Sequence, residues 1–460
     1  ENLLIKLRLN FPNLPIQKLE KKLNEGKYFY LKKRINQIDK EKLWGLGEKG
    51  IIFEPFQSRI YTHGNLFSHI LGQVDYDNYG ISGVEKYFDK ELKKKEFINQ
   101  PLVLTLDTNI QHIISKELNN ALTTFNASGG GALLMDVANG DIISLVSLPD
   151  FDPNQREKIS DSNYINRVTK GVYEFGSVFK TFTLAAALDE KIITAETEYV
   201  DLPKSLKCAG FPIREYDKKI PSNLTAEQIL VRSGNIGSVR IVQQVGEEKF
   251  KSFLSKIGIL EKIDFDIEEV GKPIQFNWGK CPLATASFGH GITTTLLQLA
   301  KAYSIVVNGG YQIKPKLVKN NNNEKKEKIL SQDLSREILP ILRKIVSTKD
   351  GTASLANVNG YEIGGKTGTA EKSADGEYSN KKINSFVSVF PTSKPKFVLA
   401  VMLDEPKINE NYIYHYRDGS NIKYKGTPFN TAGWTTVEAT GQIVEKIGPI
   451  LATKYSEFNF

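Results

Sequence analysis

At 460 residues the chain is longer than the roughly 50 to 250 residues of an ordinary domain, so two domains are expected. Hydrophobic residues at 40% and aromatics at 10%, against 25% charged, exclude a disordered polymer and leave enough apolar material for a large interior. The 61 Lys and Arg against 53 Asp and Glu give a net charge of +8, much of it in mixed runs such as Lys90 to Glu96 and Glu324 to Lys328; interspersed signs describe a solvated surface, and without a basic stripe interleaved with aromatics no nucleic-acid partner is expected.

A mildly basic body would suit anionic lipid headgroups or wall polymer instead. The two cysteines, Cys208 and Cys281, stand alone without a CxxC or a Cys/His cluster, so no metal site is expected. They either pair or pack as free thiols, and the residues leave that open. No apolar run of 18 residues occurs and no signal-peptide pattern opens at Glu1, so the expectation is a soluble, trimmed chain.

Residues 1–100 are Lys-rich and irregular, with a short helical pattern over 15–23 and a short extended one over 58–62. Asp107 reads as an N-cap, followed by the stripe Ile110, Ile113, Ile114, Leu118, Ala121 and Leu122 of an amphipathic helix. A second domain therefore opens near Pro101. Residues 131–137 and 142–148 are β-favouring runs joined by Ala138-Asn139-Gly140-Asp141, a hairpin signal. From Ser177 onward Val178, Phe179, Phe182 and Leu184 to Leu188 are apolar nearly all round, which predicts a buried helix starting there. Thr225 with Gln228, and Thr295 with Gln298, have capping-box spacing, and the second helix should stop at Asn308-Gly309-Gly310. Residues 320–323 predict a low-complexity surface loop. Residues 361–369, 385–390 and 396–403 read as three successive strands, the middle one alternating Phe386, Ser388, Phe390. Strands at both ends with helices between predict an α/β sandwich.

Three motifs carry chemistry. Gly176-Ser177-Val178-Phe179-Lys180 puts a hydroxyl and an amine three residues apart on one helix face. Lysine can deprotonate serine if its pKa falls from about 10.4 toward 7, roughly 4 kcal/mol of bias that burial and a second cation can supply. The same spacing recurs at Ser379, Ser393 and Ser420, in turn-rich contexts that argue against a buried helix. Ser233-Gly234-Asn235 is the only SxN, and offers a proton relay and an amide that could hold a substrate backbone and the first lysine. Gly364-Gly365-Lys366-Thr367-Gly368-Thr369-Ala370 contains the only KTG; its glycines admit a ligand backbone while Lys366, Thr367 and Thr369 suit a carboxylate. A phosphate loop would need GxxxxGK[ST] between a strand and a helix, and this segment reads as an extended run instead.

In the order SxxK, SxN, KTG the triplet resembles the active-serine penicillin-recognising enzymes. Residues 287–310 (SFGHGITTTLLQLAKAYSIVVNGG) and 63–89 (HGNLFSHILGQVDYDNYGISGVEKYFD) are similar to class B penicillin-binding proteins of the division-specific, FtsI type. The resemblance covers roughly residues 56–406. It implies an α+β transpeptidase domain over 101–460, an antiparallel sheet sandwiched by helices with an all-helical subdomain, as in β-lactamases. It also implies an elongated N-terminal pedestal over 1–100.

By the same resemblance Ser177 is the nucleophile toward the penultimate D-Ala of a stem peptide, Lys180 its base, and Ser233 and Asn235 the relay and substrate holder. Lys366, Thr367, Gly368 and Thr369 would bind the terminal carboxylate or a β-lactam's, with backbone N–H groups of Ser177 and Thr369 as the oxyanion hole. Implied partners are stem peptides, lipid-linked glycan, β-lactams, and a membrane glycan polymerase and division proteins through the N-terminal domain. No cofactor or metal is implied, and the family's membrane anchor would lie upstream of Glu1, with the catalytic domain periplasmic. An elongation-specific class B transpeptidase would share every assignment; a serine β-lactamase or a β-lactam sensor would share the triplet. Phe175 stands where many relatives carry Pro, and the match fades after Pro406.

Overall fold

Five strands form the central sheet: β1 Gly129–Asp136, β2 Ile142–Leu148, β3 Gly364–Ala374, β4 Glu377–Phe390 and β5 Phe397–Asp404, in the order β2-β1-β5-β4-β3 with every pair antiparallel. The computed structural model describes residues 2–33, 35–94, 100–155, 162–208, 211–274, 277–319, 326–374 and 377–455. The loop expected over 320–323 and parts of both mixed-charge runs lie outside the described residues. Strands β1, β2 and β5 are buried at every position, as continuous apolar runs require when both sheet faces are covered. Strand β4 is longer than the expected 385–390 because its polar first half continues the ladder with β3, Lys382 opposite Glu371. An exposed ladder extension of this kind leaves no apolar alternation to read.

The helices that position the site are, in chain order, α1 Thr108–Thr124, α2 Lys180–Asp189, α3 Ala226–Val231, α4 Asn235–Val245, α5 Lys280–Ala286, α6 Leu296–Val307, α7 Gln332–Ser347 and α8 Thr436–Lys454. Helix α1 packs on β1 and β2, and α8 on α1, β4 and β5; α6 contacts β1, β4 and β5, and α7 contacts β3. Helices α2, α3 and α4 pack on one another, and α2 and α3 also on α7. The Asp107 carboxylate accepts the N–H groups of Asn109 and Ile110 and caps α1. Both capping boxes form, Thr225 with Gln228 at α3 and Thr295 with Gln298 at α6.

Helices Asn2–Asn10, Ile16–Asn24 and Gln37–Trp44 enclose a small separate cluster of Leu7, Phe11 and Leu43. Phe67, Ile70 and Val84 instead join the large core. The extended pattern over 58–62 forms no strand: the Tyr61 N–H donates to the Asn154 side chain at 2.9 Å, a loop anchor in place of a ladder. Among the described residues no helix is long and apolar enough to cross a membrane.

The cysteines pair. Cys208, on the hairpin Ser205–Cys208/Phe211–Arg214, bonds Cys281 at the start of α5, with 5.4 Å between Cα atoms. At the other end of the domain the Tyr- and Lys-rich stretch after Pro406 forms the hairpin Ile413–His415/Lys423–Lys425. Just beyond its first strand, the Arg417 guanidinium meets the Glu438 carboxylate through bonds of 2.7 and 2.9 Å, with only 8% and 2% of the two side chains exposed. Tyr412 and Gln442 also donate to Glu438. Removing Arg417 strands the buried Glu438 carboxylate, so Arg417→Met is expected to lower unfolding free energy by about 3 to 5 kcal/mol in a denaturant titration. A loss within about 0.5 kcal/mol, typical of surface pairs, would contradict this account.

Candidate active site

The nucleophile candidate sits on a 3-10 turn, Gly176–Phe179, that runs into α2 at Lys180. The buried helix thus begins one turn later than the apolar run predicted. Tyr303, fully buried on α6, bonds the Val178 carbonyl at 3.0 Å and the Thr181 hydroxyl at 2.8 Å, which sets this first turn.

Ser233 lies between α3 and α4 at φ 59°, in the left-handed region that costs a non-glycine residue about 1 kcal/mol or more. That conformation lets two amines reach it. Lys180 Nζ donates to the Ser233 carbonyl at 2.5 Å and its hydroxyl at 3.1 Å, and Lys366 Nζ donates to the same hydroxyl at 2.9 Å. A hydroxyl has two lone pairs and one proton; with both lone pairs taken, the proton is what Ser233 has left to give. Lys366 also bonds the Thr367 carbonyl at 3.2 Å, and the Thr367 hydroxyl meets Thr352 at 2.7 Å.

Neither amine is more than 1% exposed. Burial lowers Lys180 to about 7, with the Glu215 carboxylate pulling the other way. Lys366 is held well below its ordinary value by burial and by the neighbouring Lys180. An amine neutral near pH 7 can accept a proton, which an exposed lysine cannot.

Main chain closes around the Ser177 turn. A Cβ on Gly368 would lie 2.0 Å from the Phe175 carbonyl oxygen, one on Gly176 2.7 Å from that of Thr369, and one on Gly289 2.1 Å from that of Gly176. Edge strand β3 and the loop after α5 therefore seat directly on the turn, and Gly176 and Gly289 adopt φ of 56° and 77° to allow it. The backbones of Ser177 and Thr369 are thereby neighbours.

Lys180, Ser233, Lys366 and Thr367 are thus brought into one hydrogen-bonded group. Ser177 is partly exposed, and among the described residues its hydroxyl has no hydrogen-bond partner. The Asn235 amide donates to the Arg214 carbonyl at 2.8 Å rather than meeting Lys180, and the Thr369 hydroxyl accepts the Ala432 N–H at 3.0 Å. Of the other SxxK serines, Ser379 lies on β4 with its hydroxyl on the Lys372 carbonyl, and Ser393 and Ser420 lie outside any helix.

Several contributors had no sequence signal. Glu215 accepts the backbone N–H groups of Asn235 and Ile236. Glu174, just before the turn, accepts from the Tyr378 hydroxyl at 3.2 Å and faces His290, whose ring stacks on Tyr378. Among the described residues no group of three His, Cys, Asp or Glu side chains could hold a metal ion.

The buried amine carries a stability cost. Lys180 titrates near 7 in the fold against 10.5 ordinarily, so between those values the unfolded chain binds the extra proton and stability rises with pH. Below about pH 7 the cost is on the order of 5 kcal/mol. Lys180→Met removes it and forfeits hydrogen bonds worth about 1 to 3 kcal/mol. Urea unfolding at pH 7 is expected to show a higher midpoint than wild type, with a flatter pH dependence between about 7 and 10; a lower midpoint throughout would contradict this.

The model of the penicillin binding protein transpeptidase domain matches residues 130–421. Peptidoglycan D,D-transpeptidase FtsI of Buchnera aphidicola is 30% identical over 449 residues, covering 89% of this chain and 77% of that protein. Its counterpart of the same name in Escherichia coli K12 is 27% identical over 432 residues, covering 88% and 73%. In structure, the transpeptidase domain of penicillin-binding protein 3 from Burkholderia pseudomallei is similar at a TM-score of 0.64 and 27% identity, covering 77% of this chain and 97% of that one. With a family match across more than half of its length, the chain belongs to the penicillin-binding protein transpeptidase family, in the class B, FtsI-type branch.

Proposed function

We propose that this chain is a peptidoglycan D,D-transpeptidase that cross-links stem peptides in the septal wall through a serine acyl-enzyme and is a target of β-lactams. The observation that carries the reading is the meeting of Lys180 and Lys366 on the Ser233 hydroxyl, which joins the three motifs beside the turn of the partly exposed Ser177.

In this mechanism Ser177 Oγ attacks the carbonyl of the penultimate D-Ala and its proton passes to the neutral Lys180 amine. The oxyanion is received by the N–H groups of Ser177 and Thr369, each donor contributing on the order of 3 to 4 kcal/mol. Collapse breaks the peptide bond, and Ser233 hands its proton to the departing D-Ala nitrogen while Lys180 replenishes it. Lys366, Thr367, Gly368 and Thr369 hold the terminal carboxylate, and Asn235 aligns the donor peptide. An amine of a neighbouring stem then attacks the ester and restores Ser177.

The names of the FtsI relatives support the division role. The Cys208–Cys281 disulfide supports a periplasmic catalytic domain, since such bonds persist where thiols are oxidised. We also propose residues 1–100 as a pedestal beside the membrane anchor that meets a glycan polymerase and division proteins, and 101–460 as the catalytic domain. The separate cluster of Leu7, Phe11 and Leu43 supports an N-terminal module with its own core.

Fluorescent penicillin is expected to label the wild-type chain covalently, with an adduct lasting many minutes, and Ser177→Ala to abolish labelling while the melting temperature is kept. Rapid release of hydrolysed drug would instead identify a β-lactamase, and absence of labelling would overturn the reading. Because Lys180 must be neutral to accept the proton and titrates near 7, the acylation rate is expected to fall about tenfold per pH unit below that value. A rate independent of pH from about 5 to 9 would exclude Lys180 as the base.

A further inference from the structure

We propose that Glu215 is a positioning residue for acylation, clamping the Ser233–Asn235 turn on which Lys180 and Lys366 converge; this rests on the transpeptidase reading above. Its carboxylate oxygens accept the Asn235 N–H at 2.6 Å and the Ile236 N–H at 2.9 Å. These are the first two N–H groups of α4, which have no partner inside the helix and favour an anion. The preceding residue adds a third grip, since the Arg214 carbonyl takes the Asn235 amide at 2.8 Å.

The turn so held contains Ser233 in its left-handed conformation. A residue in that region persists only where its surroundings over-determine it, and here one end of the turn is fastened by Arg214 and Glu215 while Ser233 itself carries both lysines. The carrier of Glu215 is fastened too. Its hairpin is tied through Cys208 to Cys281 on α5, and α5 leads into the loop that seats Gly289 on Gly176. One covalent link thus joins the Glu215 side of the cleft to the Ser177 side.

A Ser, Asp or Asn cap would also satisfy these N–H groups. What a glutamate adds is reach and charge. Lys180 and Lys366 are like charges in a dry site, and Glu215 is the anion that acts on Lys180. Other charges on the packed elements are engaged elsewhere: Arg232 with Asp350, Glu227 with Lys344, and Lys249 with Glu190. Arg343 bonds Ile363 and Asn357, and Arg240 bonds Gln243. Beside Glu215, Arg214 is solvent-exposed, Tyr216 donates to the Arg232 carbonyl, and Asp217 accepts the Lys219 N–H.

The test measures the acylation rate constant with fluorescent penicillin from about pH 5 to 9 for wild type, Glu215→Gln, Glu215→Asp and Glu215→Ala, each checked by thermal unfolding. Removing the anion disfavours protonated Lys180, so in Glu215→Gln the acid limb is expected to move about half to one unit lower, with a plateau reduced several-fold. Glu215→Ala should lose about ten- to a hundredfold at the plateau. Glu215→Asp, charged but one carbon short, should return the limb toward wild type without restoring the plateau, a split that a purely structural role would not produce. Wild-type limb and plateau in Glu215→Gln, or lower melting temperatures with unchanged acylation, would overturn the role of Glu215 alone. Failure of the wild-type chain to acylate would overturn the transpeptidase reading and this proposal with it.

Discussion

Two amines share one hydroxyl at the centre of this molecule. Lys180 and Lys366 both donate to Ser233 from positions closed to water, and desolvating even one ammonium opposes folding by several kcal/mol. The fold meets that demand with geometry. A helix brings Lys180 upward, an edge strand brings Lys366 sideways, and a residue in an unfavourable backbone conformation turns its hydroxyl and carbonyl toward them. Each of the three would be a liability alone; together they lower the proton affinity of the amines while keeping them hydrogen-bonded.

The sheet explains how such a site is held still. Strands β1, β2 and β5 are buried throughout, with helices packed against the sheet, so strand β3 is registered against a rigid support. Being the last strand, β3 has one side free, and that side meets the Ser177 turn. A central strand could not do this, because its second edge would be consumed by a ladder. Helices α2, α3 and α4 form the opposing wall, with Tyr303 holding the first turn of α2 and a capping box starting α3.

Features governed by neighbours in sequence were legible in advance. The Asp107 cap, both capping boxes and the Asn-Gly hairpin follow local rules that leave local traces. The three motifs could be read for the same reason, as short strings. What stayed hidden joins distant positions: Glu215 to Asn235, Gly289 to Gly176, Cys208 to Cys281. Such contacts impose no periodicity on either partner. The polar half of β4 was missed for a related reason, since a strand whose partner is another exposed strand carries no apolar alternation. The start of the α2 helix was misjudged because an apolar run reports burial and not whether the turn is 3-10 or α.

The contacts of Gly176, Gly289 and Gly368 bear on how this protein can vary over generations. The wall nearest the Ser177 turn is made of peptide carbonyls, and every residue type presents the same carbonyl. A side chain at any of the three glycines would be driven into a carbonyl and would shift main chain. Heritable variation that reshapes the cleft is therefore channelled outward, to side chains such as His290 and Tyr378, which flank the turn and are replaceable without displacing main chain.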